Sequence, residues 1–333
     1  MKKVFYFKKD IRNVTEYYYH IILSGLRKGG TEIIELNDPV GKSKIEVPKS
    51  DYLLITDLYD FLKLYLKGYR NFIYWFQGIT PEEHYMVRHC KLKYYVFSFL
   101  ERLALKTSKY RIGVSKYLFD HYNKKYGLKI KFDDVFIMPC YNSELCPENF
   151  RKSGKYEKNV FCFAGGMQPW QGFEDILKIY SRIEKQHSNV FLKVYSKELD
   201  AAKGLISKYD LKNYSLDCVP QEEMEQVLAD CKFGFIIRAD DIINNVATPT
   251  KLATYIGNGI IPVYTSTIHA FRDLNTKYDY LCCLDDVNDL SPLETLLDKK
   301  IEGEDLLGVY SKLFDEYFNT KDYIERLSKF FAS

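Results

Sequence analysis

Tryptophan is scarce in this 333-residue chain: two residues stand against 29 tyrosines and 22 phenylalanines. Aromatic side chains suit sugar and base recognition, but a biased coding genome gives the same excess, so composition alone assigns no ligand. None of the eight cysteines lies in a C-x-x-C pair, and no Cys/His cluster has zinc spacing. Several sit in apolar runs, as Cys162 does in VFCFAG, where a free thiol behaves as a small buried hydrophobe. That excludes a disulfide scaffold and predicts a reducing, cytoplasmic setting. No run of about 18 apolar residues is present, so no membrane-spanning helix is expected. The opening MKKVFYFKKD returns to charge at once and does not read as a signal peptide. Neither a G-x-G-x-x-G fingerprint nor a P-loop occurs, which places a nicotinamide dehydrogenase far down the order of readings.

What is present is ordinary globular material, 46% hydrophobic and 28% charged, long enough for two domains of about 150 residues. The net charge of +3 hides an asymmetry. Residues 1–150 hold 25 Lys and Arg against 17 Asp and Glu, whereas residues 151–333 hold 23 against 28. The basic first half either faces an anionic partner, such as the inner surface of a membrane, or is simply solvated. No nucleic-acid-binding motif accompanies the charge.

Short apolar runs alternate with helical periods throughout. KKVFYF, TEIIEL, DYLLIT, NFIYWF, RIGVS and VFIMP read as strands of the first half. Helices are expected over 15–27, 58–68 and 116–127, with one long helix over 85–107. Residues 141–158 are polar and turn-rich and make the best linker. The alternation restarts with NVFCFAGG and continues through VFLKVYS, SLDCVP, FGFIIRA and IIPVYTS, with helices over 173–186, 198–209, 221–230 and 249–257 between them. Alternating strands and helices imply parallel α/β sheets. The expected organisation is a Rossmann-like domain over 1–145, a second over 156–303, and a helical tail over 304–333.

Three segments carry the chemistry. FAGGMQPWQGFEDIL (163–177) is a strand, a glycine pair and a helix start. Such a turn either lets the backbone approach a phosphate or is an ordinary connection. FIIRADDIINNVATPTKLATYIGNGIIPVYTS (235–266) delivers Arg238 from a strand into an Asp/Asn-rich loop, then places Lys251 in the first turn of a helix. A lysine there gains from an anion, and a diphosphate would supply it. The competing reading pairs Arg238 with Asp240 or Asp241 and leaves Lys251 in water. IYWFQGITPEEHYM (73–86) ends a first-half strand, where open α/β sheets bind ligands. Its Gln77, Gly78, Thr80, Glu82, Glu83 and His84 line that position, although Pro81, Glu82 and Glu83 equally suit a helix cap.

The order of these segments resembles the family-four-type retaining glycosyltransferases of bacterial polysaccharide synthesis. PTKLATYIGNGIIPV (249–263) is similar to their donor-site helix, AGGMQPWQG (164–172) to their phosphate turn, IGVSKYL (112–118) to their strand–helix junction, and WFQGITPEE (75–83) to an acceptor-side loop. The resemblance implies a GT-B fold, with two Rossmann-like domains facing a cleft and a C-terminal helix crossing back to the first. It implies a hexosyltransferase-type enzyme that moves sugar from a nucleotide diphosphate sugar, UDP by preference, to a glycan or lipid-linked acceptor. It also implies retention, and no cofactor or metal. Arg238 and Lys251 would be the catalytic cations, with Glu83 beside the acceptor. Gly165, Gly166, Gln168, Gln171, Asp240, Asn245, Thr248, Pro249, Thr250, Leu252 and Thr254 would bind the donor.

The chain departs from the family at the paired carboxylates, where it has Val246 and Thr254, and at the turn's Arg and Lys, where it has Gly166 and Gln171. Arg238 becomes the substitute cation, and Asp240, Asp241 or Asn245 is left to replace the first carboxylate. An inactive GT-B glycan-binding partner subunit and a nucleotide-sugar epimerase are the competing readings.

Overall fold

The computed structural model describes residues 3–11, 15–37 and 46–332. The chain divides into two compact units. Unit 1 holds residues 1–140, 246–248 and 319–333; unit 2 holds 141–245 and 249–318.

In unit 1 the strands are β1 (Lys3–Phe7), β2 (Glu32–Leu36), β3 (Tyr52–Ile55), β4 (Phe72–Phe76), β5 (Tyr110–Gly113) and β6 (Phe136–Ile137). They form one parallel sheet in the order β2-β1-β3-β4-β5-β6. Every residue of β4 is buried, as a parallel strand covered on both faces requires. The helices are α1 (Glu16–Lys28), α2 (Leu58–Leu66), α3 (Thr80–Arg88), α4 (Lys91–Thr107) and α5 (Lys116–Tyr126). Two have clear start signals: the Asp57 carboxylate accepts the Tyr59 and Asp60 amides at 2.8 and 3.0 Å, and the Ser115 hydroxyl accepts the Leu118 amide at 3.1 Å. The long helix expected over 85–107 is two helices. The chain breaks at His89, which takes a left-handed conformation (φ 51°), and restarts after Cys90.

Unit 2 opens with α6 (Pro147–Phe150) and has strands β7 (Asn159–Ala164), β8 (Val190–Tyr195), β9 (Tyr214–Asp217), β10 (Phe233–Ile236), β11 (Ile261–Thr265) and β12 (Cys282–Leu284). Their order, β12-β11-β10-β7-β8-β9, is again wholly parallel. Read from the other edge this is the Rossmann order 3-2-1-4-5-6, which reverses direction between β7 and β10. The helices are α7 (Phe173–Gln186), α8 (Leu199–Ile206), α9 (Met224–Leu228), α10 (Ile242–Val246), α11 (Lys251–Gly257), α12 (His269–Asn275), α13 (Ser291–Asp298) and α14 (Gly303–Tyr317).

The tail expected to be one region from 304 onward is divided. Helix α14 stays in unit 2, and only the last helix, α15 (Thr320–Ala332), belongs to unit 1. There it packs on α1, where a side chain at Gly25 would fall 2.5 Å from Leu327 Cβ. All eight cysteines are unpaired. Among the described residues no helix is long and apolar enough to cross a membrane.

Candidate functional site

Each sheet presents its chemistry where its strand order reverses, at the carboxyl ends of the two strands flanking that point. In unit 2 those strands are β7 and β10. Strand β7 runs into Gly165-Gly166, and β10 runs through Ile237 to Arg238. Lys251 reaches back across β7: its Nζ donates to Gln171 Oε1 at 2.7 Å and lies 4.1 Å from the Phe163 ring centroid. A Cβ on Gly165 would come within 2.7 Å of that Nζ, so glycine makes the approach possible. Gly172 ends the turn at φ 62°, and a Cβ there would collide with Ile237 O at 2.3 Å.

Arg238 is buried, and its Nη1 donates to the Trp170 carbonyl. Its Nε has no hydrogen-bond partner. Burial, only partly offset by Asp241, lowers its pKa to about 10. Burial and the neighbouring Arg238 charge hold the Lys251 ammonium well below the usual lysine value. Among the described residues neither cation has an ion-pair partner. The pairing of Arg238 with Asp240 or Asp241 is absent because both carboxylates are engaged locally. Asp241 caps α10 by accepting the Asn244 amide and side chain at 2.9 and 2.8 Å. Asp240 accepts Asn245 Nδ2 at 2.9 Å, and that group also donates to Thr267 O at 3.0 Å. Two desolvated basic groups close enough to repel each other, with no ion pair among the described residues, form a site that an anion would stabilise.

The other donor-side expectations divide. Gln171 is at the site through Lys251. Gln168 donates weakly to Glu198 Oε1 at 3.4 Å, and Glu198 Oε2 accepts the Met167 amide at 2.5 Å. Sequence reasoning missed Glu198, which sits 30 residues further on, beyond β8. Pro249 and Thr250 form the half-buried lead into α11, and the Thr250 carbonyl accepts the Thr254 hydroxyl at 3.3 Å. Thr254 also contacts Asn142 Oδ1 and Ser143 Oγ at 3.4 and 3.3 Å. Two of the expected side chains are held away from the glycine turn. The Leu252 side chain is fully buried in the core. Thr248 belongs to unit 1, where its buried hydroxyl accepts the Cys140 amide at 2.9 Å.

In unit 1 the order reverses between β1 and β3, and a cavity of about 810 Å³ opens there. Residues just past β1 (Lys9, Asp10), β3 (Thr56, Asp57) and β4 (Gln77, Gly78) line it, together with Thr80, Glu83, Asp60, Lys63 and Glu101. Tyr74 and Phe76, stacked at 4.2 Å, form part of its wall. Gln77, Gly78, Thr80 and Glu83 are therefore together as expected. Glu83 Oε1 also accepts the Ile79 amide at 3.2 Å, so the helix-cap reading holds for it as well. A Cβ on Gly78 would fall 2.2 Å from that oxygen. Burial raises the Glu83 pKa.

Glu82 and His84 point elsewhere and do not line the cavity. Glu82 pairs with Lys125 at 2.7 Å and faces His121 at 3.4 Å; burial opposes its ionisation, but these two partners hold its pKa below the usual value. His84 stands edge-on to Phe97 at 5.1 Å.

The sequence reading also missed Glu101, Asp10 and the Lys9–Asp60 pair. Glu101 is 1% exposed, accepts the Tyr126 hydroxyl at 2.6 Å, and is pushed up to about 8 by burial, against the opposing pull of Lys125. Asp10 is pushed up to about 6, first by burial and then by Asp60 and Asp57 against the opposing charge of Lys9. Among the described residues no group of three or more His, Cys, Asp or Glu could hold a metal ion.

No protein-family model matches the chain, and no curated protein sequence matches it. Solved structures do match. Sucrose-phosphate synthase from Thermosynechococcus elongatus has a TM-score of 0.71 at 8% identity, over 99% of this chain and 98% of that one. Anabaena HepE, solved in complex with UDP-glucose, has a TM-score of 0.70 at 10% identity, over 99% of both chains. S. aureus TarM, solved with UDP and a GlcNAc-glycerol, scores 0.59 at 13% identity over 86% of this chain; this chain spans only 56% of TarM's length. The likeness shows the fold: two Rossmann-like α/β units of the GT-B class.

Proposed function

We propose that this chain is a glycosyltransferase that takes a nucleotide diphosphate sugar, UDP by preference, as donor and a glycan or lipid-linked sugar as acceptor. One observation carries the reading: Arg238 and Lys251 are desolvated basic groups with no ion pair among the described residues, set beside a glycine turn where the Rossmann sheet reverses. A diphosphate supplies the missing charge and grows more negative as the glycosidic bond breaks. Fixed cations in a desolvated site stabilise that developing charge without reorganising. They do for the leaving group what a divalent ion does elsewhere, so transfer is expected to proceed without metal. The cavity of unit 1, with aromatic walls and several carboxylates, suits a hydroxyl-rich acceptor. Retention rests on the family resemblance alone. An inverting reaction would need a base, and the cavity offers Glu83, with its raised pKa.

The test is the melting temperature of the protein against UDP, GDP, ADP, CDP and NAD, with and without EDTA. A ligand that binds only the native state raises it. One nucleoside diphosphate is expected to do so, EDTA to make no difference, and Lys251→Ala to abolish the shift and cost about 10²–10³-fold in turnover. If no diphosphate shifts the transition, the transferase reading fails and the inactive partner subunit takes its place.

A further inference from the structure

Helix α4 has two faces. Phe97, Leu100, Glu101, Ala104 and Leu105 are buried, and Glu101 reaches the unit 1 cavity. The other face should be polar in a helix that meets only water. Instead Leu92 is 74% exposed, Tyr95 67%, Val96 47% and Phe99 66%. These positions are spaced i, i+3, i+4, i+7, so they form a single apolar stripe in solvent. The exposed charges on the helix are Lys91, Lys93, Arg102 and Lys106, and its one acid, Glu101, is buried. Helix α3, packed against α4, adds exposed Tyr85 and Val87 and ends in exposed Arg88 and His89.

We infer that the outer face of α4 docks unit 1 onto an anionic lipid bilayer. An apolar stripe bordered by cations is the pattern of an interfacial helix: the aliphatic and aromatic groups enter the headgroup boundary, while Lys and Arg reach anionic headgroups. A second copy of the chain is a poor occupant. A twofold interface sets the same patch against itself, so Arg102 and Lys106, which continue the stripe at i+3 and i+7 from Phe99, would be buried against a surface that offers cations and no exposed acid of the helix. The docking helix also walls the cavity through Glu101, so an acceptor carried on a lipid would arrive beside it. That last step rests on the transferase reading; the docking surface does not.

The experiment is co-sedimentation of the full chain with vesicles of phosphatidylcholine alone or mixed with phosphatidylglycerol, together with light scattering without lipid. Wild type is expected to bind the mixed vesicles, to bind pure phosphatidylcholine much less, and to weaken as salt rises. Leu92→Asp with Phe99→Asp is expected to reduce binding at least about tenfold. The melting temperature should not change, because both side chains are already in water. Arg102→Glu with Lys106→Glu is expected to remove the preference for phosphatidylglycerol, and it carries the test if the first variant is destabilised. The proposal is overturned if wild type ignores both vesicles or if binding survives both variants. It is equally overturned if wild type self-associates in solution through Leu92 and Phe99 without binding lipid. Donor binding, read by the nucleotide thermal shift, is untouched by these variants, so failure here and failure of the transferase reading are separable.

Discussion

At the scale of single residues, the candidate site consists of charges kept in places that disfavour them. Glu101 shows the thermodynamic consequence. Its carboxyl titrates near 4.3 in an unfolded chain and near 8 in the fold, where burial outweighs Lys125 and Tyr126. Between those values the native state holds the proton more often than the unfolded state, so stability falls as pH rises through this window. Below about pH 4 the neutral acid is present in both states, and the group has no such effect. Glu101→Gln keeps an acceptor for the Tyr126 hydroxyl, and Lys125 keeps Glu82. The variant should therefore be more stable than wild type at pH 8, with an advantage that shrinks steadily toward pH 5. Urea melts across that range decide it; a constant difference would mean that Glu101 is ionised throughout.

Residues of this kind were hidden in the sequence for a definite reason. Arg238, Lys251, Gly165 and Gln171 stand in compact local patterns. The unit 1 cavity is assembled from the ends of β1, β3 and β4 and from α4, which only the sheet order brings together. A usable signal existed in the polar group that follows each strand, Lys8-Lys9-Asp10 and Thr56-Asp57. Glu101 follows Phe97 by four residues and so shares its buried face.

At the scale of elements, the strands were legible because a parallel strand buried on both faces is an unbroken apolar run. Helix boundaries were not. The break at His89–Cys90 carries neither Gly nor Pro, and the apolar period runs across it. The tail was equally opaque: α14 and α15 are both amphipathic, and their separation at Phe318-Asn319 lacks a strong breaker. What fixes α15 is its packing. Gly25 admits Leu327 at close range, the Tyr110 hydroxyl donates to the Phe331 carbonyl at 3.2 Å, and Phe136 packs against Tyr323 and Phe330. Leu327 is fully buried. Leu327→Ala is expected to cost about 2–5 kcal/mol. The loss should appear in the unfolding of unit 1, while a nucleotide-induced shift of unit 2 is retained. Calorimetry with and without UDP distinguishes this from a general destabilisation.

At the scale of the whole molecule, neither unit is a continuous piece of chain. Residues 1–140 hold every strand of the first sheet, yet they lack two parts of their own packing. One is α15, which buries Tyr323, Leu327 and Phe331. The other is the short segment 246–248, whose Val246 carbonyl accepts the buried Ser115 hydroxyl at 2.7 Å and whose Thr248 accepts the Cys140 amide. Without them, apolar surface on α1 and β6 meets water and a buried hydroxyl loses its partner, each a sizeable fraction of ordinary domain stability. The fragment 1–140 alone should therefore keep its helical circular dichroism, lose fixed tertiary packing and bind a hydrophobic dye. The same fragment joined through a flexible linker to 319–333 should regain a cooperative transition. Residues 141–318 contain Arg238, Lys251 and the glycine turn, and should still respond to a nucleoside diphosphate. A cooperative melt for 1–140 alone, matching that of the linked form, would show that the returning helix covers unit 1 without holding it together.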